Sequence, residues 1–175
     1  TCTGNTIIND NLAASIIGIS CTDDHAVITG NTLVNTWFRA FNGNNILFAN
    51  NSVYVERSGG SITWFEVENA NNVTIRGNTV YVKANNFNVN TAQAARVRSS
   101  ASIVDGFKMI DNDMTIEYPN LSTGANTVAS VQLWAELFDI TNAYIKDNKL
   151  NLITPLISAV ADRQFIAFAG VNDIS

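Results

Sequence analysis

The residues of this chain best equipped for chemistry are its three tryptophans and the charged residues that follow them. Two positions after Trp37, Trp64 and Trp134 come Arg39, Glu66 and Glu136, and two positions further on come Phe41, Glu68 and Phe138. In an extended strand this alternation places the Trp and the charged residues on one face. The intervening Phe38, Ala40, Phe65, Val67, Ala135 and Leu137 take the other. Burying the charged set would strip water from ions that have no obvious partner, which is costly. The apolar set therefore faces inward, and Trp37, Trp64 and Trp134 stand outside. Indole rings offer apolar platforms with a polar handle, and carboxylates accept hydrogen bonds from hydroxyls. An elongated strip of this composition suits a chain of sugars better than a compact metabolite. Trp and Arg are equally the favoured anchors of subunit contacts, so on sequence alone the two uses stand about even.

What would hold these residues in line is a degenerate repeat. Asn11, Asn31, Asn51, Asn78, Asn112 and Asn148 each follow a large apolar residue by three positions (Ile8, Ile28, Phe48, Ile75, Met109, Ile145). Leu33, Val53, Val80, Met114 and Leu150 stand two positions after all but the first. Ile46, Val73, Phe107 and Ala143 stand five before the last four. The pattern reads as two short alternating strands joined by a two-residue corner. Spacings of 20, 20, 27, 34 and 36 residues fit a minimal solenoid turn with insertions at its corners. Loop-like sequence near 56–61, 84–100 and 119–130 supplies the surplus. Rungs stacked ~4.8 Å apart would let the Asn side chains form a structural amide ladder.

Measured from Asn51, Asn78 and Asn148, each Trp lies fourteen residues upstream. Arg98 and Ser100 occupy the matching positions of the rung that lacks a Trp. The outer strip then reads Trp37, Trp64, Arg98, Trp134, beside Arg39, Glu66, Ser100, Glu136. On that register Glu66 and Glu136 sit ~10 Å apart, near the ~6.5–9.5 Å of an inverting glycosidase. Glu66 and Glu68, on one strand, are ~6.5–7 Å apart. These three are the catalytic candidates; Trp37, Trp64, Trp134, Arg39 and Arg98 are the substrate-binding ones.

The rest of the chain narrows the alternatives. Its 46% apolar content supports a packed core in one domain spanning 1–175. Polarity is carried by 25 Asn rather than by charge, which predicts many tight turns. A net charge of −5 disfavours nucleic acid or an anionic membrane as partner. No apolar run approaches a membrane span. Asp23-Asp24-His25 reads as turn chemistry, since further metal ligands are missing nearby. Cys2 and Cys21 fall close in register, as a disulfide or as two thiols. A final partial unit is read at 166–173, with Val171 in the Asn position. The start on Thr1 and the lack of a capping helix suggest a piece of a longer chain or ends covered by oligomerisation. No phosphate loop, zinc spacing or dinucleotide fingerprint occurs, so neither cofactor nor metal is expected.

Units such as Asn72-Val73-Thr74-Ile75-Arg76-Gly77-Asn78-Thr79-Val80 and Ala143-Tyr144-Ile145-Lys146-Asp147-Asn148-Lys149-Leu150 resemble the repeats of the pectate-lyase-like superfamily. That resemblance implies an all-β, right-handed, single-stranded parallel β-helix of about six to eight rungs. Within the superfamily the irregular insertions, Asn richness and Trp/Glu strip look most like a bacteriophage tailspike. Such proteins are usually homotrimers of the virion tail that bind, and often depolymerise, bacterial surface polysaccharide through paired carboxylates. The resemblance carries that role to Glu66, Glu68 and Glu136, in a virion or extracellular setting. The Asp-rich signature of polygalacturonases and the calcium-plus-Arg arrangement of pectate lyases are not recognisable, which disfavours a pectin-specific enzyme.

Overall fold

The structure, a computed structural model, describes residues 1–11, 16–57, 60–84, 89–117, 126–153, 161–170 and 173–175. Among them the regular elements are all strands, and three parallel sheets of six strands hold most of them. The first sheet stacks Cys2–Thr3, Val27–Thr29, Leu47–Ala49, Thr74–Arg76, Lys108–Ile110 and Tyr144–Lys146. The second stacks Thr6–Ile8, Thr32–Val34, Ser52–Arg57, Thr79–Ala84, Asp113–Glu117 and Lys149–Ile153. The third stacks Ile16–Cys21, Thr36–Phe41, Gly60–Glu68, Val89–Arg98, Asn126–Ala135 and Ala161–Gly170. The chain visits first, second and third sheet in turn and repeats the circuit, consistent with a parallel β-helix or solenoid.

The corner between the first and second sheets explains the Asn richness. Its first residue is Gly4, Gly30, Asn50, Gly77, Asp111 or Asp147, and in every rung φ is positive, between 52° and 68°. Only Gly, Asn and Asp tolerate that left-handed turn readily, and only they occur there. At Gly77 the space is also taken, since a Cβ would lie 2.6 Å from Asn50 Oδ1 of the neighbouring rung.

The second corner residue forms the amide ladder. The backbone N–H and Nδ2 of Asn31 donate to Asn51 Oδ1 (both 3.0 Å), and Asn51 donates likewise to Asn78 (2.9 and 3.0 Å). Asn78 to Asn112 and Asn112 to Asn148 repeat the pattern. The first member is Asn5, which donates through both groups to Asn31 Oδ1. Asn11 is therefore not in the column. Ile8-Asn9-Asp10-Asn11 imitates the motif, but Thr6–Ile8 already lies in the second sheet, opposite Thr32–Val34. Asn11 instead donates its backbone N–H to Asn9 Oδ1.

Inside the rungs, Ile28, Phe48, Ile75 and Met109 of the first sheet and Leu33, Val53, Val80 and Met114 of the second are buried. They meet Phe38 and Phe65 of the third sheet, whose rings stack 5.0 Å apart with Phe48 packed against both. Two sequence assignments change here. Most of the expected loop at 84–100 is the strand Val89–Arg98. Of the expected loops at 56–61 and 119–130, residues 56–57, 60–61 and 126–130 are in the strands Ser52–Arg57, Gly60–Glu68 and Asn126–Ala135. Residues 58–59, 85–88 and 118–125 lie outside the described residues. Ile166, read as the start of a final repeat, pairs with Val131 in the third sheet; Val171 lies outside the described residues.

Candidate functional site

Four strands of the third sheet build the site. Along Thr36–Phe41 burial alternates strictly, so Thr36, Phe38 and Ala40 face the core while Trp37, Arg39 and Phe41 face out, half-buried. The next strand sets Glu66 beside Arg39 and Glu68 beside Phe41. The one after sets Arg96 beside Glu66 and Arg98 beside Glu68, and the following rung sets Trp134 beside Arg98. Two outward columns result: Arg39, Glu66, Arg96, and Phe41, Glu68, Arg98, Trp134.

This is not the register counted from the Asn column. Arg98 does neighbour Trp134, but it faces Glu68 rather than Trp64, and Ser100 and Glu136 do not share a row with Glu66. The ten residues from Glu68 to Asn78 become fourteen from Arg98 to Asn112. The additional residues make a turn beginning at Ser99, and Asn69 Oδ1 caps it by accepting the backbone N–H of Ser100 (2.9 Å), Ala101 (2.8 Å) and Ser102 (3.3 Å). In the next rung the N–H groups of Leu137 and Phe138 both donate to the Ser99 carbonyl, stacking a second turn on the first. Leu137, expected in the core, thus lies beyond the strand end and is 64% exposed.

The charged residues form one alternating chain. Arg96 bonds Glu66 Oε1; Glu66 Oε2 lies 3.5 Å from Arg39 Nε; Arg39 Nη2 donates to Glu68 Oε2 at 2.5 Å. Glu68 Oε1 lies 3.5 Å from Arg98 Nη1, and Arg98 Nε donates to Glu136 Oε2 at 2.5 Å. Ser100 Oγ adds a hydrogen bond to Glu68 Oε1 at 2.8 Å. Arg96, which the sequence reading passed over, is an end of this chain; its place two residues before Arg98 was the available signal. Glu66 and Glu68 are 3% and 7% exposed, so the expectation that all the charges face open water is corrected. Arginines from both flanking rungs offset the cost of that burial.

Aromatic rings border the chain. Arg39 lies over Phe41, 4.4 Å from the ring centroid, and Arg98 over Trp134 at 4.9 Å. Trp134 and Trp37 are half-buried, and Trp37 packs against the core. Trp64 is 1% exposed, so it is not an open platform and cannot stack on a ligand as placed. Among the described residues, the buried side-chain polar atoms with no hydrogen-bond partner all lie on this sheet: Thr36 Oγ1 and the N–H donors Trp37 Nε1, Arg39 Nε, Trp64 Nε1 and Arg96 Nε.

Electrostatics favour the ionised forms of Glu68 and Glu136. Burial opposes ionisation of Glu68, but hydrogen bonds from Arg39 and Ser100 and the nearby Arg charges leave it below the usual carboxylate range. The hydrogen bond from Arg98 lowers Glu136 likewise, and that bond raises Arg98. A general acid must instead keep its proton near the working pH. In this arrangement Glu68 and Glu136 act as hydrogen-bond acceptors.

Elsewhere, Asp23-Asp24-His25 forms a turn in which Asp24 Oδ1 accepts from the Asn44 backbone N–H and Nδ2 at 2.7 and 2.9 Å. Among the described residues no three His, Cys, Asp or Glu are grouped to hold a metal ion. Cys2 and Cys21 are free thiols lining a cavity of about 610 Å³ with Ile7, Ile19 and Ile28. Burial, with Cys2 and Asp23 nearby, pushes the Cys21 thiol up to about 11. No protein-family model, curated protein or solved structure matches the chain.

Proposed function

We propose that the chain is a right-handed, single-stranded parallel β-helix whose third-sheet face binds a polysaccharide without cleaving it. Right-handedness follows from the strong preference of parallel crossovers for that hand. The observation that carries the binding reading is the alternating Arg–Glu chain bordered by Phe41, Trp37 and Trp134, a rigid surface of rings, donors and acceptors. Rings supply apolar contact to the faces of sugars, and the fixed charged groups hydrogen-bond their hydroxyls. Each of Glu66, Glu68 and Glu136 is held by an arginine as a hydrogen-bond acceptor, which supports binding over hydrolysis. The irregular insertions and Asn richness, which look most like a bacteriophage tailspike, favour a bacterial surface polysaccharide as ligand, a homotrimer as assembly and a virion tail or extracellular location.

Affinity electrophoresis in gels containing bacterial surface polysaccharides tests this reading. The protein is expected to be retarded by at least one of them, with Trp134→Ala weakening that retardation about tenfold and no reducing ends released. Retardation unchanged in Trp134→Ala and in Arg98→Ala, or release of reducing ends, would overturn it. A second reading, a stalk that packs this face against sister subunits, is favoured by Leu137 and Phe138, which are 64% and 39% exposed beside the charged chain. A trimer that ignores every glycan would support it.

A further inference from the structure

We infer that the glycan held on the third-sheet face is uncharged. This rests on the reading of that face as a glycan site and narrows it to one ligand class. The chain Arg96–Glu66–Arg39–Glu68–Arg98–Glu136 contains three cations and three anions, and each of the inner four contacts two groups of opposite charge. Among these six groups no net charge is left to recruit an ionic ligand. An acidic sugar meets guanidinium charges that are already matched, and its carboxylate could take over one of these pairs only by displacing Glu66, Glu68 or Glu136. Glu66 and Glu68 are nearly inaccessible, so displacement would strand a buried anion, which is strongly unfavourable. A cationic sugar would strand an arginine by the same exchange. The net charge of −5 repels a polyanion before contact. Hydroxyl and acetamido oxygens instead accept from the outer guanidinium N–H groups, and hydroxyls donate to the accessible Glu136, without breaking the ion pairs.

The test compares neutral polymers (dextran, galactomannan, bacterial polysaccharides of uncharged sugars) with polyuronates (polygalacturonate, alginate) at ~20 and ~300 mM NaCl. Retardation in affinity gels and Trp emission are the readouts. The expected result is binding confined to neutral polymers, with Kd changing less than about twofold between the two salts. Glu136→Gln, which removes one anion from Arg98, should add polyuronate binding that disappears at the higher salt. Wild-type binding of a polyuronate as tight as that of any neutral polymer, and falling with salt, would overturn the inference while leaving the glycan site intact. Silence toward every polymer would remove the glycan site and this inference together.

Discussion

Replacing Asn78 by Ala should be among the most damaging single changes in this protein. Asn78 is 1% exposed. Its Nδ2 donates to Phe48 O (3.0 Å), Arg76 O (3.1 Å) and Asn112 Oδ1 (2.9 Å), and its Oδ1 accepts from the backbone N–H and Nδ2 of Asn51. The Nδ2 of Asn51 keeps a bond to Ile28 O, but its backbone N–H loses its acceptor. A stranded buried N–H costs ~1–3 kcal/mol, and the remaining bonds ~1 kcal/mol together, for a total of ~2–4 kcal/mol. Asn5→Ala is the control. Asn5 gives up donors near the surface and strands no backbone group, so ~1 kcal/mol is expected. Urea titration followed by circular dichroism reads both, with the m-value checked for constancy. A cost below ~1 kcal/mol for Asn78→Ala, or an equal cost for the two variants, would refute the view that the ladder stabilises by satisfying buried backbone.

Two further outcomes follow from named contacts. The folded-state pKa of Glu68 lies below its usual 4.5, so its stabilising contribution is complete above pH 4.5 and is lost as pH falls through the folded value. The urea midpoint should hold from neutrality down to that pH and then drop, and Glu68→Gln should flatten the drop while lowering the neutral plateau; a midpoint that rises on acidification would contradict the ion-pair assignment. Gly77→Ala should cost at least ~1–2 kcal/mol from the left-handed backbone alone, with Asn50 Oδ1 also forced aside, and a melting temperature unchanged in that variant would show that the corner can rearrange.

The corner and the core were legible because each rung solves one problem at one place. A left-handed residue followed by Asn must recur at every first-to-second sheet corner, and inward positions must be apolar. The misplacement of Asn11 for Asn5 shows the limit of that signal, since a polar corner at 9–11 carries the same letters. The site was less legible. Counting from the Asn column assumes a constant path from the third sheet to the ladder, and the turn capped by Asn69 lengthens that path by four residues between Glu68 and Arg98. Within each pair of rungs the count holds, which is why Trp134 was correctly set beside Arg98. Across the change it fails, so Arg96 was missed and Glu136 was set level with Glu66. The burial of Glu66 and Glu68 could not be read either, because it depends on arginines that only the true register brings alongside.

The two ladders of this molecule differ in symmetry. Along the amide column the inner rungs are interchangeable, since each Asn from Asn31 to Asn112 receives from the rung before and donates to the rung after. Excising residues 51–77 would bring Asn78 under Asn31 and leave every amide matched. On the third sheet the same excision would set Arg39 against Arg96 and Phe41 against Arg98, because there the sign of charge alternates from rung to rung. Lengthening or shortening the stack by single turns is thus permitted by the backbone and forbidden by the charged face. The unit that can be copied without frustrating that face is the pair of rungs that carries Glu66 and Arg96.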